Sequence, residues 1–230
     1  MPIIFSCFSP HAPILLPEVG NKEDREKVKN TIKSLEKLGK DLQKINPDLI
    51  IISSPHPDWG IKVPLHFLIS NIKNQKSKLQ FKIQNYQNPD NVIIEPSNDL
   101  TIYPVLTTFN SPQQHYEWGK KLFLKIKNLK LKIALIASGD LSHCLKADGP
   151  YGFRPDGPKF DKTLIEALKK KDIETILKLD ELYSEAGECG LRSFCFILGI
   201  LEKSKINYQP EILSYEGPFG VGYLVANFKL

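Results

Sequence analysis

The stretch Leu49-Ile50-Ile51-Ile52-Ser53-Ser54-Pro55-His56 decides the fold. Four consecutive branched apolar residues running into small residues and a proline are the pattern of a strand buried on both faces, with its end opening into a loop. Working backwards, Val28, Ile32, Leu35, Leu38, Leu42 and Ile45 recur every three or four residues among lysines and glutamates, and Pro47 closes the pattern. That spacing predicts an amphipathic helix over residues 22–45. Further back, residues 2–8 form a second short apolar run that ends in Ser9-Pro10-His11. Strand, helix, strand is a βαβ unit with a right-handed crossover and parallel strands.

Working forwards, Ile61, Val63, Leu65, Phe67 and Ile69 alternate with other residues after Trp59-Gly60, and Leu79, Phe81 and Ile83 repeat the period. The alternation predicts half-exposed strands. Residues 84–112 are rich in Asn, Pro, Asp and Thr, with apolar islands only at 92–94 and 105–106, and read as irregular structure. Ser111-Pro112 starts a helix that runs to about Asn128, and residues 133–137 read as a third buried strand, ending in Ser138-Gly139-Asp140-Leu141-Ser142-His143. A Gly/Pro-rich loop at 146–158 is long enough for a lid or a site wall. Helical periodicity covers 160–168, 173–177 and 191–201, and strands follow at 212–215 and 222–228. The expected architecture is a single α/β domain over residues 1–230, with a central, largely parallel or mixed sheet flanked by helices.

Composition narrows the function. The 230 residues are 41% hydrophobic and 25% charged, which excludes a disordered or fibrous chain. The net charge is +5, yet only Arg25, Arg154 and Arg192 are arginines, so the positive charge is lysine spread along the chain. Nucleic-acid readers use the guanidinium fork and backbone binders cluster their charge, so no nucleic-acid partner is expected. Cys7, Cys144, Cys189 and Cys195 form neither a C-x-x-C pair nor a disulfide framework, and read as reduced thiols. The opening residues lack a basic n-region and are interrupted by Pro10 and Pro13, so neither a signal peptide nor a membrane span is expected. The expected compartment is the cytoplasm.

Among the five histidines, His11, His56 and His143 share one context: an apolar run, then small or turn residues, then the imidazole. Ligands of open α/β sheets bind outside the carboxyl ends of the strands, so these three should converge on one rim. His66 lies opposite the apolar face of its expected strand, and His115 sits in a polar first helical turn, so both read as surface or capping residues. No Gly-x-Ser-x-Gly elbow, Walker loop or Gly-x-Gly-x-x-Gly is present. Converging neutral imidazoles then suggest a metal, and two histidines with one carboxylate suit non-haem Fe(II). Glu188, at a helix start between Gly187 and Gly190, offers the carboxylate. Cys189 is its rival, and a thiolate there would suit zinc or copper as well.

Several blocks together carry a family resemblance: residues 9–20 (Ser-Pro-His-Ala-Pro-Ile-Leu-Leu-Pro-Glu-Val-Gly), Ser-Pro-His at 54–56, Ala-Ser-Gly-Asp-Leu-Ser-His at 137–143, Asp-Gly-Pro-Tyr-Gly at 148–152, Ala-Gly-Glu-Cys-Gly-Leu-Arg-Ser at 186–193 and residues 214–226. In these the chain resembles class III extradiol ring-cleavage dioxygenases of the subunit-B type, in the branch that is often fused to a C-terminal second domain and is related to the Memo proteins. The resemblance implies an oxidoreductase with Fe(II) held by His11, His56 and Glu188, with His143 as the acid/base for cleavage of a catecholic or related small aromatic substrate. Cys189-Gly190 also matches the cysteine of Memo-like relatives. Where such relatives carry Asp-His-Gly this chain has Asp99-Leu100-Thr101, so a histidine near the metal is expected to be missing. A zinc-dependent hydrolase and a non-catalytic metal-binding or redox regulatory module are the alternatives. Assembly of identical copies stays open.

Overall fold

The computed structural model of the chain describes residues 2–70, 79–81 and 100–230. Its strands are β1 (Ile3–Ser9), β2 (Leu49–Ser54), β3 (Leu79–Phe81), β4 (Leu100–Leu106), β5 (Ile133–Ser138), β6 (Gln209–Glu216) and β7 (Tyr223–Lys229). They form one mixed sheet in the order β3-β4-β2-β5-β1-β7-β6. The first five in that order run parallel, while β7 pairs antiparallel with β1 and β6 with β7. The carboxyl ends of β2, β5 and β1 therefore lie side by side along one rim.

Each central strand feeds two cores through its two-residue side-chain period. Leu49, Ile51, Ile133 and Leu135 belong to the core beneath α4 (Pro112–Ile126), α5 (Asp156–Lys170) and α8 (Leu191–Ser204). Ile50, Ile52, Ala134 and Ile136 face the other core, beneath α2 (Lys29–Ile45) and α3 (Trp59–Ile69). Both faces of the sheet are covered, which is why these strands read as unbroken apolar runs. The short helices α1 (Lys22–Lys27), α6 (Ile173–Leu177) and α7 (Leu179–Leu182) complete the chain. Among the described residues no helix is long and apolar enough to cross a membrane. All four cysteines are free thiols.

Three expectations are corrected. The helix over 22–45 is interrupted at Val28, whose buried side chain and non-helical backbone separate α1 from α2. Residues 61–69 are helix α3, not a strand: Gly60, Ile61, Val63, Pro64, Leu65, Phe67, Leu68 and Ile69 are all buried. A helix apolar almost all round shows no 3.6-residue stripe, so the chance alternation dominated the pattern. His66 is accordingly an exposed position on a helix. Within the stretch read as irregular, Leu100–Leu106 is β4, paired along its length with β2 despite Pro104. Pro104 lies beyond the three residues of β4 that pair with β3, where the missing N–H breaks no ladder on that side among the described residues. The islands at 83 and 92–94 lie outside the described residues.

Candidate metal centre

β1 and β5 pair through Ser9 and Ser138, and β5 pairs with β2 through Ala137 and Ser53, so the three strands end level. His11 and His56 each sit two residues beyond a strand end, and their rings meet edge to face with centroids 5.1 Å apart. His56 is exposed, and its position follows from a tight turn in which its N–H donates to Ser54 Oγ (3.2 Å) and Ser54 Oγ donates to its carbonyl (3.0 Å). His11 is buried at 4% exposure, and burial, reinforced by His56, pushes its pKa down to about 3. It is a neutral imidazole, the form that ligates metals.

Which ring nitrogen of His11 carries the proton follows from counting donors. Ser138 Oγ lies 2.5 Å from the carbonyl oxygen of Gly60, which can only accept, so the single hydroxyl proton points there. Ser138 Oγ then accepts from His11 Nδ1–H at 3.0 Å, leaving Nε2 without a proton and with its lone pair outward. Nε2 faces the sulfur of Cys189 at 3.4 Å.

Cys189 reaches the rim because two glycines let backbones touch. A Cβ on Gly139 would fall 2.1 Å from Gly190 Cα, and one on Gly190 would fall 2.9 Å from the carbonyl oxygen of Asp140. This close approach lets Gly190 N–H donate to the Asp140 carbonyl (3.0 Å) and Asp140 N–H to Cys189 Sγ (3.3 Å). Nδ1 or Nε2 of His11 and His56 and Sγ of Cys189 lie within 4.8 Å of one another, as do the ligand atoms of Asp140, His143 and Cys189. The 3.4 Å between sulfur and Nε2 is close to the about 3.5 Å expected for two ligands of one tetrahedral ion. The donor set therefore fits a transition metal, and it includes a soft thiol.

The Asp140 carboxyl accepts from His11 N–H (2.9 Å), and burial raises its pKa to about 6. Burial lowers the pKa of His143, and its Nε2 is buried without a hydrogen-bond partner. Its ring lies 5.1 Å from that of Tyr151, on the loop at 146–158 expected to wall the site.

Glu188 does not join this cluster. Its carboxylate accepts from Leu191 N–H at 2.6 Å and from Arg192 Nη1 at 3.3 Å, closing the start of α8, and burial raises its pKa to about 7. Neither of the two ligand groups contains it, so the third converging side chain is Cys189. Arg192 is also taken up, by Asp180 (3.5 Å) and the Asn110 carbonyl (2.8 Å), while Arg154 pairs with Glu185 (3.7 Å). His115 is buried, not exposed: its Nδ1 donates to the Ser111 carbonyl and its Nε2 accepts from Thr108 N–H. Leu100 begins β4, whereas Leu106 pairs with Ser54 at the rim, so Leu100 lies about 20 Å away at the opposite edge of the sheet. It occupies no place beside the converging imidazoles and thiol. Sequence reasoning passed over Asp140 and Ser138, although both lie inside the Ala-Ser-Gly-Asp-Leu-Ser-His block.

Comparison with known proteins bears on the family and the fold. Residues 56–226 match the LigB family, the catalytic LigB subunit of aromatic ring-opening dioxygenase. The chain belongs to that family. Protein CA_C1420 of Clostridium acetobutylicum is 32% identical to it, over 96% of this chain. The chain spans about half (56%) of the length of that curated relative. An uncharacterised Escherichia coli K12 protein, JW3007, shares the fold with a TM-score of 0.55 at 16% identity, over 99% of this chain and 100% of its own. Membership of LigB places the chain among dioxygenase-like proteins, as the resemblance implied.

Proposed function

We propose that the chain is a non-haem Fe(II) oxidoreductase that opens a catecholic or related aromatic ring, with His11, His56 and Cys189 holding the metal and His143 as the acid/base. The observation that carries this reading is the convergence of two imidazoles and a thiol beside the unpartnered Nε2 of His143. When bound, the ion supplies a Lewis acid that lowers the pKa of a phenolic hydroxyl, together with redox chemistry toward dioxygen.

The chain's own groups do the rest. His143, held neutral by burial, takes a substrate hydroxyl proton on Nε2 and returns it later. The Asp140 carboxyl favours the imidazolium form, since its charge raises the pKa of His143. Ser138 holds His11 with Nε2 outward. Tyr151, whose ring is tilted against that of His143, lies beside the proton-transfer site.

Metal analysis of the purified protein combined with oxygen-uptake assays on a panel of catechols tests the reading. One Fe per chain and turnover that falls about 100-fold or more in His143→Gln are expected. Absence of metal uptake by the wild-type chain would overturn it. One observation favours a second reading: the thiol of Cys189 stands where a carboxylate was expected, which suits zinc or copper and a metal-binding or redox-regulatory role. Tight metal binding without oxygen uptake on any catechol would decide for that role.

A further inference from the structure

Pro64 is a buried proline in the interior of α3. In a regular helix the amide of residue 64 would donate to the carbonyl of residue 60. Proline has no N–H, and its ring crowds the carbonyl four residues back and turns it out of the helix. The carbonyl so released is that of Gly60, the acceptor of the Ser138 hydroxyl. A Cβ on Gly60 would sit 2.0 Å from Ser54 Oγ, so α3 begins in direct contact with the end of β2 and its carbonyl reaches the rim.

We propose that Pro64 and Ser138 are positioning residues for metal binding: the Gly60 carbonyl that Pro64 frees claims the Ser138 proton, and Ser138 in turn fixes the tautomer in which His11 presents Nε2. The inference rests on the reading of His11 as a metal ligand. The metal-ligating form of the His11 ring has one proton, Ser138 has one hydroxyl proton, and the Gly60 carbonyl supplies an acceptor only. Two oxygens at 2.5 Å with no proton between them repel, so the Ser138 proton must lie toward Gly60. Only Nδ1–H can then satisfy the 3.0 Å contact between His11 and Ser138. Were the Ser138 proton turned to Nδ1, the ring proton would move to Nε2 and block ligation. Groups of this kind, which orient a ligating histidine through its other nitrogen, change metal affinity about 10- to 100-fold when removed.

The test reads the tautomer and the affinity separately, with Zn(II) alone as the probe. Long-range proton–nitrogen spectra of the metal-free chain should show His11 protonated at Nδ1. Ser138→Ala should mix the two tautomers and weaken Zn(II) binding, measured by calorimetry, by about 10- to 100-fold. Pro64→Ala, which restores the helical amide donor and lets the Gly60 carbonyl swing back, should move both readouts in the same direction by a smaller factor, about threefold to tenfold. Each variant stands if the other fails to fold. A wild-type His11 protonated at Nε2, or variants with unchanged tautomer and affinity, would overturn the proposal. Its failure is separable from that of the functional reading. Nδ1–H in a chain that takes up no metal sinks the reading alone, and tight Zn(II) binding with an unmoved tautomer in both variants sinks the relay alone.

Discussion

His11 and His56 are chemically identical groups placed two residues beyond neighbouring strands, yet the molecule holds them in opposite ways. His11 is buried, its N–H bonded to Asp140, its Nδ1 to Ser138, its Nε2 against Cys189. His56 is exposed; Ser54 holds its backbone, and its ring rests edge to face on that of His11 with no side-chain hydrogen bond among the described residues. The side of the rim built by β1 and β5 is preorganised, while the β2 side is open. A preorganised ligand loses little side-chain freedom on binding and contributes more net affinity, whereas an exposed one pays to be ordered but leaves a path by which metal or substrate enters.

That contrast predicts unequal losses. His11→Ala should lower Zn(II) or Fe(II) affinity by about 100-fold or more and also cost stability, because the Ser138 hydroxyl loses its buried ring partner while Asp140 keeps the backbone N–H. His56→Ala should weaken metal binding by a smaller factor and leave the melting temperature unchanged. Equal losses of affinity in metal titrations of the two variants would erase the distinction.

Neighbouring residues at 188 and 189 sharpen it next. Cys189→Ser should remove the thiol from the cluster and weaken metal binding about 10-fold or more, with the optical signature of a thiolate lost from a Co(II)-substituted sample. Glu188→Gln keeps an acceptor for Leu191 N–H but loses the charge facing Arg192, so it should cost about 1 kcal/mol in chemical denaturation and leave metal affinity within about twofold. A reversed outcome would return the third ligand to Glu188.

Much of this arrangement was legible in the sequence because it rests on local rules. Apolar runs marked β1, β2 and β5, and small residues followed by histidine marked where each strand ends on the rim. Those rules do not reach side-chain direction within a turn. Glu188 and Cys189 are adjacent, and which points inward depends on the contact of Gly139 with Gly190 and on Arg192 one helical turn ahead, neither visible as a period. Arg192 at i+4 from Glu188 and the Leu191 amide at i+3 were nevertheless a readable hint that Glu188 belongs to the helix start. Helix α3 was hidden for a different reason: burial on nearly every side removes the polar face that reveals a helix. Ser138 and Asp140 act through long-range pairing with Gly60 and His11, which sequence spacing cannot show.

The fixed side of the rim extends inward to Asp161 on α5, and there the expected effect is smallest and reads in pH. Asp161 is buried; its Oδ1 accepts from Ser142 N–H at 2.8 Å and its Oδ2 from the Tyr215 hydroxyl at 2.6 Å, which anchors the residue preceding His143. Burial pushes its pKa up to about 7, above the ordinary carboxyl value of 3.8. A carboxyl that holds its proton more tightly folded than unfolded adds stability at low pH, and that contribution is lost as the pH rises from about 4 to about 7. Asn at this position keeps an acceptor for Ser142 N–H, presents an amide N–H to which the Tyr215 hydroxyl oxygen turns as acceptor, and does not titrate. The stability of Asp161→Asn relative to wild type should therefore climb through that window, by at most about 1.4 kcal/mol per pH unit, and level off above it. Urea denaturation of both metal-free chains at intervals between pH 4 and 8 measures the difference. A flat difference would mean that the Ser142 amide and Tyr215 hydroxyl already compensate the buried charge, so that this anchor holds the His143 loop equally well in either protonation state.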